Sequence, residues 1–280
     1  MAGKKYGVIS LPLVAKSLDT SYCSKEQMAI LKYGRVIYIY YGQKSFYVGQ
    51  TDRFLKRHKE HMAEVKTDYR QFKKVVVLFG QYVDGNSQDD LEALLITYLT
   101  ADQEKLPQKE KRVCRNRTKG NQFVDYPYRG EVLARVLTPF WEQELYKAGL
   151  VHQKSLEGLR NSILFKYSPF TELSEEQAAL IHEIEKDTRS FLIEGTAGTG
   201  KTVVLTNLVA RLCEHHDWNV GVVVKSNWVQ TARSIFRAYG LRKNITVGTA
   251  YQLIRKKKHF HILLVDEAHR LRWNSPKQNH

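Results

Sequence analysis

The chain has 280 residues, of which 42% are hydrophobic, and this length and composition predict about two domains with an ordinary buried core. They exclude a wholly disordered chain, a collagen and a small disulfide-bonded scaffold, and no apolar run reaches the roughly 18 residues of a membrane span. Lys and Arg number 44 against 29 Asp and Glu, and the formal net charge of +15 favours a polyphosphate partner such as nucleic acid.

The first half of the chain alternates strand-like and helix-like runs. Runs rich in Val, Ile, Tyr and Phe predict strands, whereas polar runs with a periodic apolar stripe predict helices. In chain order, we predict a helix from Ser24 to about Tyr33, strands at Arg35–Tyr41 and Ser45–Gly49, a helix from Asp52 to about Lys66, a strand at Lys74–Gly80 and a helix capped by Ser87. We interpret residues 1–34 as a helical extension and residues 35–125 as one small α/β domain.

This domain carries a set of short motifs in a fixed order. Val36-Ile37-Tyr38 lies on the first predicted strand and Tyr47-Val48-Gly49 on the second. Arg57 follows on the next helix, and His61 lies four residues later, one helical turn along the same face. Glu92 lies on the helix after the third strand. In this order and spacing the residues resemble the GIY-YIG endonuclease family, with a valine in place of the first glycine.

The resemblance implies a metal-dependent endonuclease. Glu92 would bind a single Mg²⁺ or Mn²⁺, and Arg57 would stabilise the phosphate. Tyr38, Tyr47 and His61 would position or deprotonate the attacking water, with Tyr38 preferred as the base. Since an ordinary tyrosine has a pKa near 10, this role requires the metal or Arg57 to lower the pKa. The alternative is a structural one, with paired tyrosines in a hairpin and a solvated basic helix face.

The family also places an asparagine after the helix that bears the glutamate. Asn116 and Asn121 are the two candidates, and we prefer Asn116. Both lie within a basic run, which either forms a solvated surface or grips the phosphates of nucleic acid without reading its sequence. The residues that we predict to contact nucleic acid are Lys111, Arg112, Arg115, Arg117 and Lys119.

The second half of the chain has a different pattern. Residues 126–170 predict a mostly helical connector, and from there short apolar strands alternate with helices. This alternation predicts a parallel, doubly wound α/β sheet over residues 171–280. The predicted strands are Phe191–Glu194, Asn219–Val224, Ile245–Val247 and His261–Val265.

A complete GxxxxGK[ST] motif follows the first of these strands and opens a helix predicted from Thr202 to about Cys213. The backbone N–H groups of such a loop cradle phosphate oxygens, so the motif predicts that ATP binds with Mg²⁺. Lys201 would neutralise the β- and γ-phosphates, and the Thr202 hydroxyl would ligate Mg²⁺. The residues that form the motif are Gly195, Gly198, Gly200, Lys201 and Thr202.

A second nucleotide motif ends the last predicted strand. Asp266 would hold Mg²⁺ through water, and Glu267 would activate the attacking water. Together, the two motifs resemble the first RecA-like domain of superfamily 1 helicases, close to a group with schlafen-type ATPase domains. Gln177 resembles the adenine-reading glutamine of that superfamily, although Ser174 and Gln177 also form a capping box.

These resemblances imply an endonuclease that cleaves nucleic acid, DNA in preference to RNA, and is coupled to an ATP-binding helicase-like domain. Defence against foreign DNA and DNA repair are the two roles that suit this pairing. The superfamily also implies a second RecA-like domain, which we expect from a homo-oligomer or a partner, or from a longer chain of which this is a fragment. The alternatives are a nucleic-acid-binding module with a degenerate nuclease centre and a nucleotide-dependent regulator. Three distant cysteines predict a cytoplasmic protein without a disulfide frame, and the lack of a long apolar run predicts no membrane partner.

Overall fold

The structure is a computed structural model with a mixed α/β fold, as the sequence predicts. It describes residues 5–14, 16–64, 69–116, 126–187, 189–196, 198–213, 215, 217–241 and 244–271. The predictions for Arg117, Lys119 and Asn121 lie outside the described residues.

A six-stranded mixed sheet forms the first half, with the strand order β2-β1-β5-β3-β4-β6. Neighbouring strands are antiparallel except β4 and β6, which run parallel. The strands are β1 (Tyr6–Val14), β2 (Ser17–Leu18), β3 (Val36–Gly42), β4 (Ser45–Thr51), β5 (Phe72–Gly80) and β6 (Val113–Cys114). The predicted hairpin and third strand are therefore confirmed.

The segment before this hairpin is not the helical extension that the sequence predicts. Its helix α1 (Lys25–Tyr33) is present and capped by Ser24, but it follows the nine-residue strand β1, which pairs with β5. Alternate residues of β1 are buried, which is the period-two signal of a strand: Ile9, Leu11 and Leu13. Pro12 weakens that signal in the sequence, because proline is uncommon inside strands.

Helices cover both faces of the six-stranded sheet. Side chains alternate between the faces along β3, so Tyr38 packs with α1 and α2 (Phe54–Ala63), while Ile37 and Ile39 pack with α3 (Ser87–Asp102). Tyr38 of the first motif therefore faces α2 in the apolar layer. This arrangement brings the predicted motif residues of β3 and α2 to the same side of the sheet.

The connector is mostly helical, as predicted, and leads into a three-stranded parallel sheet with the order β8-β7-β9. The strands are β7 (Val220–Val223), β8 (Ile245–Gly248) and β9 (Ile262–Val265). The helices are α4 (Arg129–Val132), α5 (Leu156–Arg160), α6 (Ile163–Lys166), α7 (Glu175–Lys186), α8 (Lys201–Leu212), α9 (Val229–Ala238) and α10 (Ala250–Arg255), and α4 continues into π-helical turns at Leu133–Leu137 and Phe140–Leu145. Three of the four predicted strands in this half are thus confirmed.

The remaining prediction, which placed the first strand of this half at residues 191–194, is wrong. This segment has no strand structure, and Leu192 is 79% exposed. A strand needs a hydrogen-bonded neighbour, and among the described residues the parallel sheet consists of β8, β7 and β9 alone. The apolar composition of residues 191–194 was therefore not enough to predict a strand.

The apolar core continues from one half of the chain to the other. A single cluster of buried residues extends from Ile39 in the six-stranded sheet, through Trp141 in the connector, to Val222 in the parallel sheet. The domain boundaries at 125/126 and 170/171 therefore stay an interpretation of the sequence. None of the helices in the described ranges has the length and apolar character needed to cross a membrane.

Candidate functional site

Tyr38 and Tyr47 are diagonal neighbours on the β3–β4 hairpin. The register pairs Tyr38 with Gly49 and Tyr40 with Tyr47, and the ring centroids of Tyr38 and Tyr47 lie 6.2 Å apart. A Cβ atom added at Gly49 would lie 2.4 Å from the Tyr38 hydroxyl oxygen. The glycine of the second motif is therefore needed because the Tyr38 ring packs against its backbone.

Helix α2 places Arg57 and His61 next to Tyr38. The Tyr38 hydroxyl oxygen and His61 Nε2 are 2.7 Å apart, and both side chains are buried. Arg57 lies at the edge of this face with 45% of its side chain exposed, where it donates to Glu60 Oε2 at 3.1 Å and also hydrogen-bonds Tyr38. The structure thus brings together the residues that the sequence predicts on β3, β4 and α2.

Three further residues of this cluster were not predicted from the sequence. The Tyr40 hydroxyl lies 2.7 Å from His58 Nδ1, and the Tyr69 ring centroid lies 4.6 Å from that of His61. Tyr69 also hydrogen-bonds Tyr47. Periodicity could have identified two of them, because Tyr40 shares the strand face of Tyr38 and His58 lies one helical turn before His61.

Burial controls the protonation of this cluster. Burial, reinforced by the positive charges of Arg57 and His58, lowers the pKa of His61 to about 3, so His61 is neutral at physiological pH. Burial also raises the pKa of Tyr38 well above its usual value, and the opposing effect of Arg57 is smaller. The lowered tyrosine pKa that the sequence interpretation required of Arg57 is therefore not observed. Neutral His61 can accept a hydrogen bond from the Tyr38 hydroxyl.

We expect the stability of the His61→Asn variant to depend less on pH than that of the unmodified protein. The pKa of His61 is about 3 in the folded state but near 6.5 in an unfolded chain, so below pH 6.5 the unfolded state binds more protons. His61 then removes up to about 1.4 kcal/mol of stability for each pH unit as the pH falls. Urea unfolding at pH 7 and pH 5 measures the difference.

The exposed His182 of α7 offers a matched control for that measurement. The His182→Asn variant should follow the unmodified protein at both pH values. Equal losses of stability in the His61→Asn variant and in the unmodified protein would contradict the buried, neutral state of His61.

Glu92 faces the same cluster from the second turn of α3. Its side chain is half-buried and lies within electrostatic range of Tyr47 and Arg57. Burial raises the pKa of Glu92 to about 7, and the nearby Asp89 carboxylate adds to this increase. A cation beside Glu92 would reverse this effect by favouring the charged carboxylate.

The side chains that could bind a metal at this cluster fit an ion that needs few protein ligands. Within the described ranges, no group of three or more His, Cys, Asp or Glu side chains is arranged to hold a metal ion. Mg²⁺ commonly binds through one or two carboxylates and completes its shell with water and substrate phosphates. Glu92 therefore fits Mg²⁺ as a single protein ligand, whereas a metal that requires a closed protein cage does not fit.

Asn116 follows β6 and completes the edge of the sheet. The Val48 N–H donates to Asn116 Oδ1 at 2.9 Å, and Asn116 Nδ2 donates to the Val48 carbonyl at 2.6 Å. The side chain thus pairs with β4 as another strand residue would. Because Val48 follows Tyr47 directly, Asn116 holds the segment of β4 that carries this tyrosine.

The basic run does not form one uniform surface. Arg112 is half-buried, and its guanidinium donates to the Gly42 carbonyl at 3.2 Å and to the Leu150 carbonyl at 3.3 Å. Lys111 donates to a backbone carbonyl 2.9 Å away, and Arg115 is exposed. Arg112 therefore joins the hairpin to the connector, and its predicted contact with nucleic acid stays a prediction that requires these bonds to open.

The predicted phosphate loop leads into α8. Gly198 and Gly200 have φ angles of 87° and 80°, and Gly200 caps the helix. Lys201 Nζ donates to the Gly195 carbonyl at 2.6 Å and to the Thr196 carbonyl at 2.8 Å. The lysine ammonium thus lies on the loop whose motif predicts phosphate binding.

The acidic pair of the second motif lies near this loop. Asp266 and Glu267 follow β9, and the pKa of Asp266 is raised by burial and by Glu267 against the opposing charges of Lys225 and Lys201. Lys225 Nζ lies 3.6 Å from Glu267 Oε1. Thr202 follows Lys201 in the first turn of α8. Lys201 and Asp266 are therefore in electrostatic contact, as a shared Mg²⁺–nucleotide site requires.

Gln177 contacts the phosphate loop from α7. Its Oε1 accepts from the Ser174 N–H at 3.1 Å in the predicted capping box, and its Nε2 donates to the Thr199 carbonyl at 3.0 Å. Both polar atoms of the amide therefore have protein partners. Adenine reading by Gln177 stays a prediction that requires one of these bonds to open.

The comparisons with known proteins concern the second half of the chain. Residues 188–280 match the family model described as Schlafen group 3, DNA/RNA helicase domain. The match includes the phosphate loop and the acidic pair after β9. No curated protein and no solved structure matches the chain. The predicted likeness of this half to schlafen-type helicase-like domains is thus confirmed, and the likeness of the first half to GIY-YIG endonucleases stays a prediction.

Proposed function

We propose that this chain combines a metal-dependent endonuclease with an ATP-binding, helicase-like domain, and that its substrate is nucleic acid, DNA in preference to RNA. One observation carries the nuclease proposal: four side chains from β3, β4 and α2 meet in one cluster, and a fifth, the half-buried carboxylate of α3, lies within electrostatic range of it. They are Tyr38, Tyr47, Arg57, His61 and Glu92.

Each member of the cluster suits one requirement of phosphodiester hydrolysis. The neutral His61 can accept a hydrogen bond from the Tyr38 hydroxyl across 2.7 Å, which orients the phenol toward the attacking water. The half-exposed Arg57 can reach a phosphate and stabilise its developing negative charge. Glu92 would hold Mg²⁺, which supplies positive charge at the leaving oxygen when it is bound.

The second half supports nucleotide binding. Residues 188–280 resemble a DNA/RNA helicase domain of the schlafen type, and the motif lysine Lys201 lies at the N-terminus of α8, where helix N–H groups favour phosphate. Asp266 would hold Mg²⁺ through water, and Glu267 would orient the water that attacks the γ-phosphate. Thr202 would complete the metal shell with its hydroxyl.

Plasmid cleavage tests the proposal directly. The purified chain is incubated with supercoiled plasmid, with Mg²⁺ or EDTA and with or without ATP, beside a single-stranded RNA of mixed sequence. We expect nicking of the plasmid that requires Mg²⁺, and slower cleavage of the RNA. If ATP binds but neither substrate is cut, the chain is instead a nucleotide-dependent nucleic-acid-binding module.

We expect the Arg115→Gln variant to bind duplex DNA more weakly and without sequence preference. The exposed Arg115 lies between β6 and Asn116, and each lost phosphate contact reduces the slope of log K against log salt by about 0.9. Fluorescence titrations between low and moderate salt measure that slope.

The Arg112→Gln variant is the matched control, because the same charge is removed from a side chain that bonds backbone carbonyls. It should retain the salt slope and lose stability. If the slope is unchanged in Arg115→Gln, Arg115 does not contact phosphate and is part of a solvated surface.

A further inference from the structure

The end of α9, in the second half of the chain, lies against the strand that leads to Asn116. Gly240 has a φ angle of 74°, and a Cβ atom added there would lie 2.6 Å from the Cys114 carbonyl oxygen. Cys114 is the last residue of β6, the edge strand of the six-stranded sheet. The backbone of α9 therefore closes this edge of the sheet.

The neighbouring Tyr239 anchors the same end of α9 to α6. Tyr239 is 1% exposed, and its hydroxyl donates to the Leu164 carbonyl at 2.7 Å. Leu164 lies on α6, and α6 packs against α3, the helix that carries Glu92. One end of α9 thus contacts β6, which leads to Asn116, and is linked through α6 to α3.

The other end of α9 lies at the nucleotide site. The helix follows the turn Ser226–Trp228, which directly follows Lys225, the partner of Glu267. Ten residues at a rise of about 1.5 Å each make α9 about 15 Å long. A single short helix therefore connects the edge of the candidate nucleotide site with the edge of the candidate nuclease site.

We propose that the end of α9 positions Asn116, and through it Val48 and Tyr47, so that the second half of the chain completes the nuclease centre. This inference rests on the proposed nuclease function. β6 pairs with β4 at only two positions, which leaves the short strand dependent on packing from its other side. Gly240 supplies that packing without touching substrate and is a positioning residue.

Two glycine substitutions separate close packing from backbone strain. Gly240 and Gly149 both have positive φ angles, 74° and 66°, so alanine meets a similar backbone penalty at either position. Gly149 has no neighbour within 4 Å of an added Cβ, whereas Gly240 has the Cys114 carbonyl at 2.6 Å. Gly149→Ala is therefore the matched control for Gly240→Ala.

The first measurement is hydrogen exchange of the Val48 amide, which Asn116 holds. We expect exchange about tenfold faster in Gly240→Ala and unchanged in Gly149→Ala, with the amide of Val77 in central β5 unchanged in both. Faster exchange at both amides would indicate general destabilisation and overturn the proposal, and so would unchanged protection of Val48. This measurement needs no activity, so it judges the positioning role even if the chain cleaves nothing.

The second measurement is catalysis and nucleotide binding. With saturating DNA, we expect kcat to fall about tenfold in Gly240→Ala, while the KM for DNA and the Kd for ATP stay within about twofold. If the Val48 amide exchanges faster in Gly240→Ala but kcat is unchanged, the catalytic part of the proposal is overturned. If the unmodified protein itself cuts nothing, the proposed function fails and the exchange result stands alone.

Tyr239→Phe provides the same test if Gly240→Ala does not fold. This variant keeps the buried ring and removes the hydrogen bond to the Leu164 carbonyl. We expect exchange of Val48 about threefold faster, with Val77 unchanged. Unchanged exchange at Val48 in folded Tyr239→Phe would overturn the proposal.

Discussion

The Glu92→Gln variant is expected to lose Mg²⁺-dependent nicking of DNA by about a thousandfold while it keeps its fold. Glu92 is the carboxylate through which the cluster would hold the metal, and a neutral amide binds Mg²⁺ weakly. Loss of a metal that stabilises the leaving oxygen removes about 4 kcal/mol of transition-state stabilisation, which corresponds to this rate. Nicking rates over a range of Mg²⁺ concentrations, with circular dichroism to monitor the fold, provide the measurement.

The fold should tolerate this change because burial already disfavours the charged form of Glu92, whose pKa is raised to about 7. Asp89→Asn is the matched control: Asp89 lies on the same helix, is exposed and accepts a hydrogen bond from Gln50. We expect this control to keep its nicking rate within a few fold. Undiminished nicking by folded Glu92→Gln would remove the nuclease assignment from this cluster.

The Lys201→Ala variant is expected to bind ATP about a hundredfold more weakly than the unmodified protein. The lysine ammonium already lies on the loop, 2.6 Å and 2.8 Å from two of its carbonyl oxygens, and would exchange these contacts for phosphate oxygens. A charge-assisted contact with a polyphosphate contributes about 3 kcal/mol, which is about two orders of magnitude in Kd. Calorimetric titration with Mg²⁺–ATP measures the change.

Thermal unfolding separates lost binding from a damaged loop. A ligand that binds only the folded state raises Tm, so ATP should raise the Tm of the unmodified protein more than that of Lys201→Ala. Lys186→Ala removes the same charge from an exposed position at the end of α7 and should retain the full shift. Equal shifts in all three proteins would contradict phosphate binding by Lys201.

The sequence predicted those parts of the fold whose signals are local. The hairpin of β3 and β4, the capped helix α1 and three strands of the parallel sheet follow from composition, period and capping residues that lie within a few positions of one another. The spacing of Arg57 and His61 likewise placed both residues on one face of α2. The phosphate loop could also be predicted, because its motif and the start of α8 are contiguous in the sequence.

The structure decided what depends on partners that are distant in the chain. Residues 191–194 have the composition of a strand but no strand structure, and β1 is a strand in spite of Pro12 because it pairs with β5. Arg112 is structural because carbonyls 70 and 38 residues away meet its guanidinium. The neutral state of His61 also depends on the tertiary structure, because the side chains that surround its ring separate it from water. Composition, periodicity and capping residues are present in the amino-acid sequence itself. Strand pairing, burial and the contact of Gly240 with Cys114 exist only after the chain has folded.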